Sequence, residues 1–209
     1  MSKRGQEAVE DRHVGQRHLD RLVMLSDGVF AIAITLSAIE LKPEAHAGDS
    51  LWQAWSHPLL LYFLSFMLIG IVWFNHRRIV SHLRDVDAIG TVLNLLLLSL
   101  VALLPVVVRY SLTEAASGQA LMVYAAGLAA TYLATALLWL HLAFIAQLAP
   151  DLDRRVALGW LLQLLAAPLL IEAAVLYSSH LRYPSLAVTL LGVALILARR
   201  WLGRLARRA

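Results

Sequence analysis

Three carboxylates lie within or beside otherwise apolar stretches of the sequence: Asp27, Glu40 and Glu172. An ionised side chain at the centre of a membrane helix costs about 2.5–3.5 kcal/mol on insertion scales, so it normally faces protein or water rather than lipid. Such residues transfer protons, line cation pathways or join buried polar networks. Asp27 lies near the start of its apolar stretch, where a carboxylate can also simply anchor a helix end. The sequence leaves both the anchor and the network role open for Asp27.

One short pattern could carry acid–base chemistry. His82 and Asp87 are separated by four residues, the spacing of the catalytic pair in some acyltransferases. The pattern is short, lies in a basic loop and has no phosphate-binding motif beside it, so it is a weak signal. His141 and His180 are isolated in the sequence and are interpreted as structural. The chain has no cysteine, which excludes thiolate catalysis and thiolate metal sites. The sequence therefore predicts no enzyme, no metal site and no cofactor.

Six apolar segments are long enough to cross a bilayer, since a membrane-spanning helix needs about 20 mostly apolar residues. Apolar residues make up 60% of the chain and charged residues 15%, whereas soluble domains carry about 25% charged residues. The segments are 22–41, 58–74 (extending toward 79), 88–108, 120–145, 156–177 and 183–202. The sequence predicts an all-α membrane protein with six transmembrane helices per subunit. Residues 1–18 form a cytoplasmic N-terminal arm, 19–205 the transmembrane domain and 206–209 a basic tail.

Basic residues are divided unequally between the two ends of these segments. With six spans, 15 of the 18 Lys and Arg residues fall on the side of the two termini, and only Lys42, Arg109 and Arg182 fall on the other. Because Lys and Arg concentrate in cytoplasmic loops, both termini are predicted to be cytoplasmic. The same rule explains the basic net charge without nucleic acid as a partner. The polar start of the chain lacks the apolar core of a signal peptide.

The first apolar segment divides into distinct helical faces at about 100° per residue. Asp27 shares one face with small residues that permit close helix packing. A second face is mostly apolar and comprises Leu25, Gly28, Ile32, Thr35, Leu36 and Ile39. Periodicity alone favours ordinary packing against other helices for this second face.

The residues around Asp27 also form a motif. Arg21 is followed four positions later by Leu25-Ser26-Asp27. This arrangement resembles the RxxxFSD signature of the transmembrane protein 175 family, the lysosomal potassium channels and their bacterial relatives. The phenylalanine of that signature is Leu25 here, which removes an aromatic packing group.

Two further segments carry the same resemblance. The second apolar segment ends with Trp73-Phe-Asn75-His76, and the third contains Asn94 and a leucine-rich run that ends at Pro105. Both are similar to the corresponding helices of the family. The resemblance covers residues 17–110, and the rest of the chain agrees in hydropathy and in the number of spans.

The resemblance implies a potassium-permeable cation channel of the bacterial single-repeat type, with its pore lined by the first helix. It implies a homotetramer in the bacterial inner (plasma) membrane, whose partners are copies of itself and the lipid bilayer, with potassium as the permeant ion. The family's constriction isoleucine corresponds to Ile32, and Thr35, Leu36 and Ile39 continue the ion path. The implied structural polar network is Arg21, Ser26, Asp27, Trp73, His76 and Asn94.

A secondary or proton-coupled transporter is the alternative function. Asp27, Glu40 and Glu172 would be its titrating groups. Carriers typically show inverted repeats and helices broken at the membrane midplane. The sequence shows no clear repeat, and Pro105 and Pro168 are the candidate helix interrupters within the spans.

Overall fold

The computed structural model is all-helical over the residues it describes, which are 3–39, 41–42, 50–113 and 118–206. A π-helical turn, His141–Ile145, continues the fourth helix. The helices are α1 (Lys3–Ile39), α2 (Leu51–Val80), α3 (Ala88–Thr113), α4 (Gly118–Leu140), α5 (Arg154–Ser178) and α6 (Arg182–Ala206).

Each of the six helices contains a stretch that is long and apolar enough to cross a membrane. The shortest of these stretches has 24 residues. At about 1.5 Å per residue it spans about 36 Å, more than the roughly 30 Å of a bilayer's hydrocarbon core. The predicted fold class, an all-α membrane protein with six transmembrane helices, is confirmed.

Two helices begin earlier than the sequence predicts. Helix α1 starts at Lys3, so the predicted N-terminal arm is helical from that residue onward. Helix α2 starts at Leu51, before the predicted start at Pro58, because Ser50 forms a capping box with Gln53. Pro58 lies inside α2. Membrane helices tolerate proline because neighbouring groups satisfy the backbone carbonyl that proline leaves free.

The core lies between α1, α2, α3 and α4, and α5 covers one side of it. Helix α1 packs against α2 and α3, α3 packs against α4, and α4 packs against α5. The core side chains are large and fully buried, so their packing fixes how the four helices lie against one another. They include Phe30 from α1, Ile69 and Ile79 from α2, Leu97 and Val101 from α3, and Leu138 and Trp139 from α4.

Helices α5 and α6 form an outer hairpin. A Cβ at Gly192 would lie 2.9 Å from Leu170 Cδ2, so the absence of a side chain lets the two helices approach closely. The Ser185 hydroxyl donates to the Ala173 carbonyl at 2.8 Å, which joins α6 to α5. The opposite face of α6 exposes Leu186, Leu190 and Leu197, as expected for a surface that faces lipid.

Polar contacts join the loops that follow α2 and α4. The guanidinium of Arg84 forms a salt bridge with Asp151, with Nη2 and Oδ1 2.6 Å apart. The Asp87 carboxylate accepts the backbone N–H of Gly90 at 2.8 Å at the start of α3. It also contacts Nε2 of His141 at 2.8 Å. Asp87 therefore ties the beginning of α3 to the end of α4.

These contacts correct the description of His141 as isolated and agree with the weak signal assigned to the His82–Asp87 pattern. His141 is not isolated, because it pairs with Asp87 across 54 positions of the chain. Asp87 consequently does not pair with His82, whose ring lies edge-on to Trp160 with centroids 5.0 Å apart. The acyltransferase-like pattern therefore does not form an acid–base pair.

Candidate ion pathway and polar network

A chain of three hydrogen-bonded side chains links α1, α2 and α3. Nε2 of His76 lies 2.7 Å from Oδ1 of Asn94, and the Asn94 amide nitrogen lies 3.0 Å from the Ser26 hydroxyl. All three residues are buried. Each helix thus contributes one polar residue to a cluster that is closed to solvent.

The chemistry of these groups sets the direction of every bond. The Asn94 amide N–H donates to Ser26 Oγ, and Ser26 Oγ–H donates to the Leu22 carbonyl at 2.7 Å. Asn94 Oδ1 can only accept, so the His76 Nε2 carries a proton and donates to it. A buried donor or acceptor without a partner costs about 1–3 kcal/mol. The network therefore holds the three helices in one register, because a shift of any helix leaves buried polar atoms unpaired.

A second contact joins α1 to α2 beside this network. Trp73 donates its indole N–H to Asp27 Oδ1 at 2.8 Å. The guanidinium of Arg77 lies 5.4 Å from the centre of the Trp73 ring, within the range of a cation–π interaction. Asp27 itself is exposed on the single chain. A carboxylate at this depth must be covered by protein or reached by water.

Arg21 lies outside the cluster that the other predicted network residues form. Its side chain is exposed, and within the described part of the chain it has no hydrogen bond or ion pair. Leu25, which replaces the phenylalanine of the family signature, is also exposed. The structure therefore brings together Ser26, Asn94 and His76, places Trp73 against Asp27, and leaves Arg21 apart.

The apolar face of α1 is uncovered in the single chain. Ile32, Leu36 and Ile39 are 60%, 41% and 72% exposed. A Cβ at Gly28 would meet no atom within 4 Å. The Thr35 hydroxyl is exposed but bonds to carbonyls of its own helix, those of Ala31 and Ile32, at 3.0 Å each. This face can line a water-filled passage or contact another copy of the chain. Its one side-chain hydroxyl, that of Thr35, already donates to its own helix.

The opposite face of α1 is buried in the helix bundle. Ser26, Phe30, Ala33 and Ser37 are buried there. The Phe30 ring lies against His76, with ring centroids 5.5 Å apart. Sequence reasoning missed Phe30, although its position four residues after Ser26 places it on the same side of the helix.

The two remaining predicted carboxylates are Glu40 and Glu172. Glu40 lies outside the described residues. Glu172 is half-buried in α5 and has no hydrogen bond or ion pair to any residue that the structure describes. The sequence also did not predict the contact between Asp87 and His141, because these two residues lie on different elements.

Comparison with known proteins identifies relatives of this arrangement. The family described as the endosomal/lysosomal potassium channel TMEM175 matches residues 21–105. A potassium channel of Streptomyces collinus is 40% identical over 131 residues, 58% of this chain and 63% of that protein. A potassium channel of a Chryseobacterium species is 36% identical over 111 residues, 52% of this chain and 56% of that protein. The chain thus spans about three-fifths of the length of these curated relatives.

A solved structure matches most of the fold. It is the crystal structure of a lysosomal potassium-selective channel TMEM175 homologue from Chamaesiphon minutus. The match has a TM-score of 0.63 and 27% sequence identity, and covers 88% of this chain and 99% of that one. The resemblance to the transmembrane protein 175 family that the motifs indicated is confirmed.

Proposed function

We propose that this homologue of the transmembrane protein 175 channels is a subunit of a homotetrameric, potassium-permeable cation channel, with one α1 from each copy lining the pore. Ile32 forms the narrowest ring, and Thr35, Leu36 and Ile39 continue the ion path. Ser26, Asp27, Trp73, His76 and Asn94 hold α1 in place, and Arg21 joins them in the assembly. The observation that carries the proposal is the contrast between the two faces of α1, one locked by buried polar bonds and one uncovered.

The uncovered face of α1 supports an assembly rather than a lipid-facing helix. Asp27 is exposed on the same helix, and a carboxylate in contact with lipid tails is costly. Burial between copies, or contact with water, removes that cost. A single helix cannot enclose a pore, whereas copies around a symmetry axis can, and closed cyclic assemblies are the usual arrangement.

A ring of isoleucines can control ion passage without binding the ion. Apolar constrictions gate by dewetting, because an ion that enters must give up water contacts that the walls cannot replace. The Thr35 hydroxyl hydrogen is committed to backbone carbonyls, and its oxygen can still contact water or a cation one turn from the ring. Potassium is the permeant species in this proposal, and the channel needs no cofactor.

The orientation follows from charge. The side that holds both termini carries most of the basic residues, so both termini are cytoplasmic in the bacterial inner membrane. The carrier alternative has less support. Each described span is helical throughout, the fourth ending in the π-helical turn His141–Ile145, whereas carriers place broken helices at their binding site near the membrane midplane.

Substitution of Ile32 by asparagine tests the proposed constriction. A polar side chain makes the ring easier to wet, so Ile32→Asn is expected to increase potassium flux into liposomes about tenfold and to reduce discrimination against sodium. The matched control is Ile71→Asn on α2, because Ile71 is also exposed, at 48%. The control is expected to leave flux unchanged. Wild-type flux and selectivity in a correctly assembled Ile32→Asn protein would overturn the proposed pore.

A further inference from the structure

Two arginines from different helices meet over one short segment of α5. The guanidinium of Arg78, near the end of α2, lies 3.8 Å from the centre of the Trp160 ring. The side-chain stem of Arg199, on α6, passes over Gly159, where an added Cβ would lie 3.7 Å from Arg199 Cγ. Gly159 and Trp160 are adjacent, so both arginines lie against the same turn of α5.

This pair of cations has no partner anion among the residues that the structure describes. Both arginines are half-buried. Neither guanidinium forms an ion pair or hydrogen bond with any residue among 3–39, 41–42, 50–113 and 118–206. Two like charges in a partly desolvated site repel each other, and an external anion between them removes that repulsion. Most other surface arginines can turn into solvent, whereas Arg78 is held over an aromatic face.

The surface beside the arginines is preorganised. Trp160 is fixed between Trp139 and His82, with ring centroids 5.3 Å and 5.0 Å away. A groove next to Arg78 is lined by Asn75, Ile79, Trp160, Gln163 and Leu164. The amides of Asn75 and Gln163 have no hydrogen-bond partner in the described part of the chain. The groove therefore offers the Arg78 guanidinium, two neutral amides and an apolar wall, and Arg199 lies against the same turn of α5.

The position of the groove indicates the source of the anion. Arg78 is near the end of α2, Trp160 is near the start of α5 and Arg199 is near the end of α6. All three lie at the edge of the spans on the side of the chain termini. In a bilayer this edge meets the headgroup layer, where phosphate is the abundant anion and tryptophan is enriched. Guanidinium groups bind phosphate oxygens through paired hydrogen bonds.

We propose that Arg78 and Arg199, supported by Trp160, Asn75 and Gln163, bind the phosphate of an anionic phospholipid in the leaflet on the side of the chain termini. The acyl chains lie along the apolar wall of the groove, and the amides accept or donate hydrogen bonds to polar atoms of the headgroup. The site stands independently of the pore, because none of its residues lines the exposed face of α1.

Lipid-dependent stabilisation of the purified full-length protein tests this site. The thermal unfolding midpoint in neutral detergent is measured as phosphatidylglycerol or phosphatidylcholine is added, and an apparent Kd is taken from each titration. Phosphatidylglycerol is expected to stabilise the wild type and phosphatidylcholine is not. Arg78→Gln and Arg199→Gln are each expected to weaken phosphatidylglycerol binding about tenfold, through the loss of charge-assisted hydrogen bonds to the phosphate.

Arg200→Gln is the matched control, since Arg200 is adjacent to Arg199 but exposed. It is expected to change the apparent Kd less than about twofold. Equal losses in Arg199→Gln and Arg200→Gln would mean diffuse attraction and would overturn the site. Inorganic phosphate and glycerol 3-phosphate are titrated in parallel. If either stabilises the protein as well as the lipid does, the site takes a free anion and the lipid assignment fails.

Lysine variants keep the test decisive if a glutamine variant does not fold. Arg78→Lys and Arg199→Lys retain the charge but lose the two-pronged geometry of the guanidinium. Each is expected to weaken phosphatidylglycerol binding about two- to threefold, with Arg200→Lys unchanged. Identical affinities in all three lysine variants would contradict specific phosphate recognition.

Discussion

Side chains join the helices differently in the two halves of the molecule. Between α1, α2 and α3, side chains bond to one another, through His76, Asn94 and Ser26. Between α4, α5 and α6, side chains bond to backbone carbonyls. The Trp139 indole N–H donates to the Ala157 carbonyl at 2.9 Å, and the Ser185 hydroxyl donates to the Ala173 carbonyl at 2.8 Å.

This difference explains why only the first half carries a recognisable motif. A bond between two side chains requires a particular residue type at both positions, so its sequence pattern is restricted. A bond to a backbone carbonyl requires a particular residue at one position only, and close packing requires only a small residue such as Gly192. The family match accordingly ends at residue 105, before α4 begins.

The largest expected effect comes from breaking the network of the first half. Asn94→Leu leaves the buried His76 Nε2–H without a partner and removes one of the two hydrogen bonds of Ser26, which keeps its bond to the Leu22 carbonyl. We expect a loss of about 2–5 kcal/mol of unfolding free energy, measured by denaturant unfolding in detergent, with loss of assembly on size exclusion.

Thr135→Val is the matched control from the second half. Thr135 is buried, but its hydroxyl bonds only to the Thr131 carbonyl of its own helix. We expect a cost of about 1 kcal/mol or less. Equal costs for Asn94→Leu and Thr135→Val would remove the distinction between the two halves.

A smaller effect is expected at the contact between α4 and α5. Trp139→Phe removes the indole N–H that bonds to Ala157 but keeps an aromatic ring against Trp160. The expected loss is about 1–2 kcal/mol, from the lost hydrogen bond and from the smaller ring at a fully buried position, measured by the same unfolding experiment. Trp201→Phe is the control, because Trp201 is exposed on α6 and should cost almost nothing. A loss in Trp139→Phe as large as that in Asn94→Leu would show that side-chain to backbone bonds matter equally.

The smallest expected effect lies where the two halves meet, at the contact between Asp87 and His141. Burial alone raises the pKa of Asp87, but hydrogen bonds from His141 and the Gly90 N–H together outweigh it, so its pKa lies below the ordinary value of 3.8. A depressed carboxyl pKa contributes stability above the unfolded-state pKa, and this contribution is lost as pH falls through the folded-state pKa.

We therefore expect wild-type stability to fall by at most about 1 kcal/mol below roughly pH 4, since the Asp87 side chain is partly exposed. Asp87→Asn should flatten this part of the stability profile, measured as the thermal midpoint against pH. Asp151→Asn, in the exposed salt bridge with Arg84, serves as a control for surface carboxylates. If Asp87→Asn loses as much stability at low pH as the wild type does, the contact between Asp87 and His141 does not link the two halves.

Hydropathy alone predicted the six spans, because membrane helices must satisfy their backbone groups internally and expose apolar side chains. It did not predict where α2 begins. Pro58 suggested a start, whereas the capping box at Ser50 and Gln53 determines it. The Asp87–His141 pair was not predictable either, since its residues come from separate elements and lie 54 positions apart.

Within the site, periodicity grouped Ile32, Leu36 and Ile39 on one face of α1, and all three side chains are exposed in the chain. Periodicity could not reveal what that face contacts, because an apolar stripe has the same pattern whether it packs, faces lipid or lines a pore. The resemblance to a channel family supplied the pore as a prediction, and that prediction needs a direct measurement.

The absence of native cysteine allows that measurement. A cysteine is introduced by Ile32→Cys or, as an exposed control on α2, by Ile71→Cys, and potassium flux is recorded before and after addition of a charged methanethiosulfonate reagent. The account predicts that the reagent changes flux severalfold through Ile32→Cys and leaves flux through Ile71→Cys and the wild type unchanged. If flux through Ile32→Cys is unaffected although mass spectrometry shows the thiol fully modified, α1 does not line the constriction.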